Sequence, residues 1–201
     1  MGKKEIRQLR KLKKLGKNLR LAAEWKKPWQ SLISTILSAR TRDNKTIAVS
    51  NVLYKRYGSV RKLSKARKSD VAKIIRPINF YKGKTKRIIA CAKMLIKEHN
   101  GKVPKDFDEL VKLPGVGRKT ANVFLAHQGK GRIGVDTHVK YISNKLGWTK
   151  SHKQEKVEED LKKRFPRKYW RKLNYILVRF GQSYRGKKEK DSLLSNIKKL
   201  K

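Results

Sequence analysis

Residues 113–122 read Leu-Pro-Gly-Val-Gly-Arg-Lys-Thr-Ala-Asn, and Val-Asp-Thr-His follows at 135–138. The first stretch is a Pro-Gly-x-Gly turn entering a helix. Pro114 fixes one backbone dihedral, while Gly115 and Gly117 admit left-handed conformations and remove side chains that would block a ligand. Leu113 and Val116 complete the turn and Arg118 follows it. Its amides can face outward at the positive end of the helix, where a phosphate is held well. Pro-Gly also ends many helices that bind nothing, but two glycines bracketing one apolar residue and followed by Arg-Lys favour the phosphate. Lys119 stands apart from the other basic residues by its place in the first helical turn, where a neutral amine is a competent nucleophile. Asp136 is the only carboxylate between Glu109 and Glu155. It admits two readings, a helix N-cap worth about 1 kcal/mol or a catalytic carboxylate. A nucleophilic lysine upstream tilts the choice to the second. Together these residues suggest a protein that grips a phosphate and attacks a sugar carbon.

The elements that must hold these groups are helical almost throughout. Asp106 caps a short helix through Phe107, Leu110 and Val111, so the motif is helix, glycine hairpin, helix. Ile6, Leu9, Leu12 and Leu15 mark a basic amphipathic first helix ending near Gly16. Trp29, Leu32, Ile33, Ile36 and Leu37 repeat with the spacing of a buried helical stripe. Asp43 is expected to cap the next helix and Ser69 a short one halted by Pro77. Ile88, Ala92, Leu95 and Ile96 define a helix that stops at Asn100-Gly101. After a loop over 129–134, Val139, Ile142 and Leu146 continue as a helix. Val157 and Leu161 suggest another, and Tyr169, Leu173, Ile176, Leu177 and Phe180 give a last stripe. From Gly186 onward the lysine-rich tail has little to bury and is expected to be a mobile arm.

Composition points to the same kind of partner. There are 56 Lys plus Arg against 15 Asp plus Glu in 201 residues, a formal net charge of +41. Small soluble domains usually carry a net charge of about 2 to 8 in magnitude, so this excess implies a polyanion. Nucleic acid fits better than a membrane surface, because no apolar run approaches the roughly 20 residues that span a bilayer. Charge alone fits a non-catalytic DNA-packing protein equally well. The 37% hydrophobic content supplies a core. The one cysteine, Cys91, excludes an internal disulfide and any site built from several thiolates, and sits as a small core residue. His99, His127, His138 and His152 lack zinc-site spacing, so no metal is expected, and His138 is assigned to packing beside Asp136. The N-terminus has no apolar signal core, which predicts an intracellular protein of cytoplasm or nucleoid.

The stretch Leu113–Leu125 with Val135-Asp136-Thr137-His138 resembles the helix-hairpin-helix DNA glycosylases, and among them the endonuclease III type. The likeness extends through Leu37-Ser38-Ala39-Arg40-Thr41-Arg42-Asp43, Asn79-Phe80-Tyr81 and His99-Asn100-Gly101-Lys102-Val103-Pro104, covering about residues 28–180. It implies an all-α, two-lobed fold with DNA in the cleft between lobes. One lobe is residues 28–131 with the hairpin, the other residues 1–27 plus 132–185, and 186–201 is the basic tail. The resemblance places Lys119 on the Schiff-base lysine and Asp136 on the essential carboxylate. Leu113, Pro114, Gly115, Val116, Gly117 and Arg118 fall on the DNA-gripping hairpin. Arg40 and Phe80 fall on the stack-filling positions, where glutamine and leucine are typical. The implied enzyme excises oxidised pyrimidines from duplex DNA as a monomer and nicks the abasic strand by β-elimination. The alternatives left open are a mismatch glycosylase for uracil or thymine opposite guanine, and an enzyme acting mainly on abasic sites. Many endonuclease III proteins carry a four-cysteine iron-sulfur loop after the segment matching 180–184. Here Arg-Gly-Lys-Lys follows, so no cluster and no required cofactor is expected. Hairpins of this type can hold a monovalent cation on backbone carbonyls.

Overall fold

The computed structural model describes residues 2–184 and 186–200, and every regular element among them is a helix. In chain order these are α1 (Lys3–Leu15), α2 (Pro28–Ser38), α3 (Asp43–Arg56), α4 (Val60–Ser64), α5 (Lys68–Ile75) and α6 (Tyr81–His99). They continue as α7 (Phe107–Lys112), α8 (Arg118–His127), α9 (Thr137–Lys145), α10 (Gln154–Arg164), α11 (Arg167–Ser183) and α12 (Lys187–Lys198). The chain forms two compact units. One is Arg20–Phe124, and the other joins the chain up to Leu19 with the chain from Leu125 onward.

In the unit Arg20–Phe124, α2 buries the stripe its spacing predicts, with Leu32, Ile33 and Leu37 fully enclosed. Where α2 meets α3 the contact is polar and satisfied. Ser34 Oγ lies 3.0 Å from Ser50 Oγ and 2.6 Å from the Tyr54 hydroxyl, which donates to the Gln30 carbonyl at 2.7 Å. Trp25 and Trp29 pack edge-on around the Tyr54 ring. The long helix α6 carries Ile88, Ala92 and Leu95 inward against α2, α4 and α5, and closes at Asn100 and Gly101, both at positive φ. Three local details depart from expectation. Asp43 does not cap α3: Arg42 is the N-cap and the Asp43 carboxylate accepts the Ala22 amide at 3.1 Å. Ser69 does not cap α5; the helix begins two residues earlier than that cap would set, with Arg67 as N-cap. The five-residue α4 was not anticipated, because a single turn is too short to show a period; Ser59 caps it by accepting the Lys62 amide.

In the other unit, α11 is the central element, with Leu173, Leu177 and Phe180 buried and α1 and α9 packed against it. Leu9 and Leu12 form the buried face of α1, as the amphipathic pattern predicts. The tail corrects the sequence reading. Far from being a mobile arm, Lys187–Lys198 is the helix α12, packed on α1 and α9 with Leu194 and Ile197 buried. Leu194 and Ile197 stand three apart, enough for a one-sided helix, and the surrounding lysines concealed the pattern. Polar contacts, some of them buried, also hold α12 in place. Gln8 donates to the carbonyls of Ile197 and Lys198 and accepts the indole N–H of Trp148 at 2.7 Å. Asp191 accepts from the Tyr141 hydroxyl and pairs with Lys145 at 2.9 Å.

Candidate active site

The hairpin is built as its residue types predict, except at one glycine. Asp106 caps α7 by accepting the amides of Asp108 and Glu109, and the Val116 amide closes the turn onto the Leu113 carbonyl at 3.0 Å. Gly115 takes φ +84, and a Cβ there would lie 3.0 Å from Arg87 Cβ and 3.2 Å from Ile36 Cγ2. Its glycine is therefore required from inside, by α6 and α2. Gly117 is different. It is not left-handed, and a Cβ would meet nothing within 4 Å among the described residues beyond its chain neighbours. Its bare backbone faces open space, where an external chain can approach closely. Leu113 and Val116 are buried, so of the expected DNA contacts these two can offer only backbone. The first bond of α8 runs from the Ala121 amide to the Gly117 carbonyl, so the amides ahead of Ala121 project from the helix end. Arg118 lies over the Phe107 ring at 5.2 Å, and Lys119, the second residue of α8, is exposed.

Asp136 belongs to the other unit and begins α9. The capping reading is correct as far as it goes: Asp136 Oδ1 accepts the Val139 amide at 2.8 Å. The residue remains partly exposed, so the cap orients the carboxylate without sealing it. The approach to Asp136 is held by a buried relay that the sequence did not announce. Asn174 on α11 donates to the Gly134 carbonyl at 2.7 Å, and its Oδ1 lies 3.2 Å from His127 Nε2. Because that oxygen only accepts, His127 Nε2 carries the proton. His127 Nδ1 is then a buried acceptor with no partner among the described residues. His138 packs as expected: a Cβ on Gly181 would run into its ring, so only glycine lets the ring rest on α11.

The relay makes a pH prediction. Burial pushes His127 down to about 4; the Asn174 bond opposes this, and Arg171 and Arg179 add to it. Above pH ~6.5 the ring is neutral in both folded and unfolded chains, so the shift has no effect on stability there. Below it the unfolded chain takes a proton that the native chain refuses, and stability falls by about 3 kcal/mol in all by pH ~4. Urea midpoints measured between pH 7 and 4 should therefore decline less steeply in His127→Gln. Parallel slopes for the two proteins would remove His127 as the cause.

Arg40 and Phe80 meet in the unit Arg20–Phe124. Both adopt left-handed backbone, at φ 55 and φ 60, and the Arg40 guanidinium carbon lies 5.0 Å from the Phe80 ring centre. Phe80 is 62% exposed, so its ring lies outside the core. Lys84 was missed by sequence reasoning. Its buried ammonium donates to the carbonyls of Leu37 and Ala39, both at 2.6 Å, and to Thr41 Oγ1 at 3.3 Å. Burial lowers it to about 8, with Arg87 adding to the shift. One signal was available: Lys84 shares a helical face with Ile88, Cys91 and Leu95, which leaves a lysine on an apolar stripe.

These units, the hairpin between α7 and α8, and the capped aspartate define a helix-hairpin-helix protein of DNA base repair. Residues 33–167 match the HhH-GPD superfamily base excision DNA repair protein. The chain belongs to that superfamily. It is 43% identical over 156 residues to endonuclease III of Thermotoga maritima, covering 77% of this chain and 73% of that one. The Synechocystis endonuclease III is 35% identical over 174 residues, 86% of this chain and 80% of its own. A solved trapped covalent intermediate of endonuclease III with DNA superposes with a TM-score of 0.82 at 33% identity, covering 92% of this chain and 89% of that chain. The chain is thus a base excision repair glycosylase/lyase of the endonuclease III type.

The sequence supplies a single thiol. Cys91 is enclosed in α6, its thiol pushed up to about 12 by burial. Among the described residues no group of three or more His, Cys, Asp or Glu side chains could hold a metal ion. Nor is any helix among them long and apolar enough to cross a membrane.

Proposed function

We propose that the substrate is an oxidised pyrimidine in duplex DNA, and that Lys119 and Asp136 perform the chemistry without a cluster. The damaged nucleotide leaves the stack, since its glycosidic bond is out of reach inside a duplex. The Lys119 amine bonds to C1′ as the C1′–N bond breaks, the electron pair of that bond leaving with the base, which takes up a proton. Asp136 balances the positive charge that develops on the sugar or accepts a proton. Opening of the sugar ring leaves an imine linking Lys119 to C1′. The imine acidifies the C2′ proton, and its loss expels the 3′ phosphate and nicks the strand. The hairpin amides and Arg118 grip backbone phosphate, with Arg40 and Phe80 filling the gap in the stack. The protein acts as a monomer inside the cell.

The observation that carries this reading is the placement of Lys119, exposed in the first turn of α8 two residues after a glycine whose bare backbone faces open space. The net charge of +41 supports the polyanionic substrate. A set of duplexes, each with one defined lesion, tests it. Release of the oxidised pyrimidine with strand nicking is the expected result. Faster release of uracil or thymine opposite guanine would make it a mismatch enzyme, and action on abasic sites alone would make it chiefly a lyase. Tight binding with no release and no nicking would leave only a packing protein.

A further inference from the structure

The chain between α2 and α3 and the chain entering α6 are tied together by more than their packing. All three acceptors of Lys84, the carbonyls of Leu37 and Ala39 and the hydroxyl of Thr41, lie in the segment that carries Arg40. Asn79 Nδ2 adds a bond to the Arg40 carbonyl itself, at 2.6 Å. Lys84 in turn donates its backbone amide to the Phe80 carbonyl at 3.0 Å. The two segments therefore share one hydrogen-bonded frame. At its outer edge stand two non-glycine residues in left-handed backbone, an arrangement that persists only where the surroundings over-determine it. A buried ammonium is costly to keep away from water unless its donors are satisfied, and here they are spent on orienting a surface turn.

We propose that Lys84 is a positioning residue that clamps these two segments so that Arg40 and Phe80 enter the duplex as one preformed wedge. This rests on the glycosylase/lyase reading and on the stack-filling roles given above. The guanidinium is already seated against the Phe80 ring, so the pair pays less ordering entropy on insertion than two independent side chains. Lys84 itself touches no DNA. Its effect appears only when a stacked duplex must be opened.

Borohydride trapping of the full chain on two probes separates these requirements. One is a duplex with a single abasic site, the other the same abasic strand unpaired. Lys84→Met should slow trapping on the duplex about tenfold and change the unpaired strand by less than about twofold, the size expected for a lost charge-assisted hydrogen-bond set. In an Arg40→Ala background Lys84→Met should add nothing on the duplex. Asn79→Ala, which removes only the bond to the Arg40 carbonyl at an exposed site, should show the same split at smaller amplitude. An unchanged duplex rate, additive losses with Arg40→Ala, or losses equal on both probes in Lys84→Met and Asn79→Ala alike would overturn the clamp. Failure of the unaltered protein to trap either probe would instead overturn the enzymatic reading.

Discussion

Replacing Lys119 with glutamine is expected to lower covalent trapping on abasic duplex DNA by at least about a thousandfold, because the proposed reaction draws the amine that bonds to C1′ from this side chain. The fold should not notice. Lys119 is exposed at the second position of α8, and exposed substitutions away from special contacts usually shift stability by no more than about 0.5 kcal/mol. Glutamine has nearly the same helix propensity as lysine. Affinity for DNA should also persist, since one of 56 Lys plus Arg is removed and binding draws on many phosphate contacts. Trapping yield against fluorescence anisotropy on the same duplex is the measurement. Wild-type trapping in Lys119→Gln would mean that another amine, or no amine, does the chemistry.

Asp136→Asn should slow base release by about a hundredfold or more while leaving both the fold and DNA binding in place. The geometry makes this a clean separation of roles. Asp136 Oδ1 caps α9 through the Val139 amide, and asparagine caps a helix about as well as aspartate. The substitution thus keeps the structural bond and deletes only the charge. Asp136→Ala deletes both, so it should lose a further ~1 kcal/mol of stability on top of the same catalytic loss. Single-turnover base release, thermal midpoint and anisotropy report the three quantities separately. If Asp136→Asn melts lower, or loses affinity in proportion to turnover, the carboxylate serves folding alone.

Much of this molecule was legible because its features are local. The helix-hairpin-helix motif follows from Asp106, Pro114 and Gly115, whose dihedral and capping preferences act within a few residues. Caps at Asp43 and Ser69 read the same way yet were misplaced. An aspartate near a helix start can serve an amide elsewhere, and Asp43 turns to Ala22, twenty-one residues back along the chain. Local preference proposes a cap, and the tertiary neighbour decides whether it is used. For α12 the local signal existed in Leu194 and Ile197, but whether two apolar residues order a lysine-rich segment depends on a surface to cover. That surface is made by α1 and α9, and Gln8 reaches Ile197 and Lys198 across 189 and 190 residues of chain.

The amino-acid sequence by itself determined the all-helical class, the hairpin, the polyanionic partner and the two residues on which the chemistry is staked. These depend on residue type, on short spacing and on charge, none of which needs distant contacts. Only the tertiary structure decided that Gly115 is required by Arg87 and Ile36 while Gly117 is left open to an outside ligand, and that Asp136 both caps and remains accessible. It alone showed Lys84 bonded to the turn that carries Arg40, with the Arg40 guanidinium against the Phe80 ring. The reason is physical: a buried donor is satisfied by whichever acceptor the returning chain brings to it, and that choice is settled by packing over the whole unit.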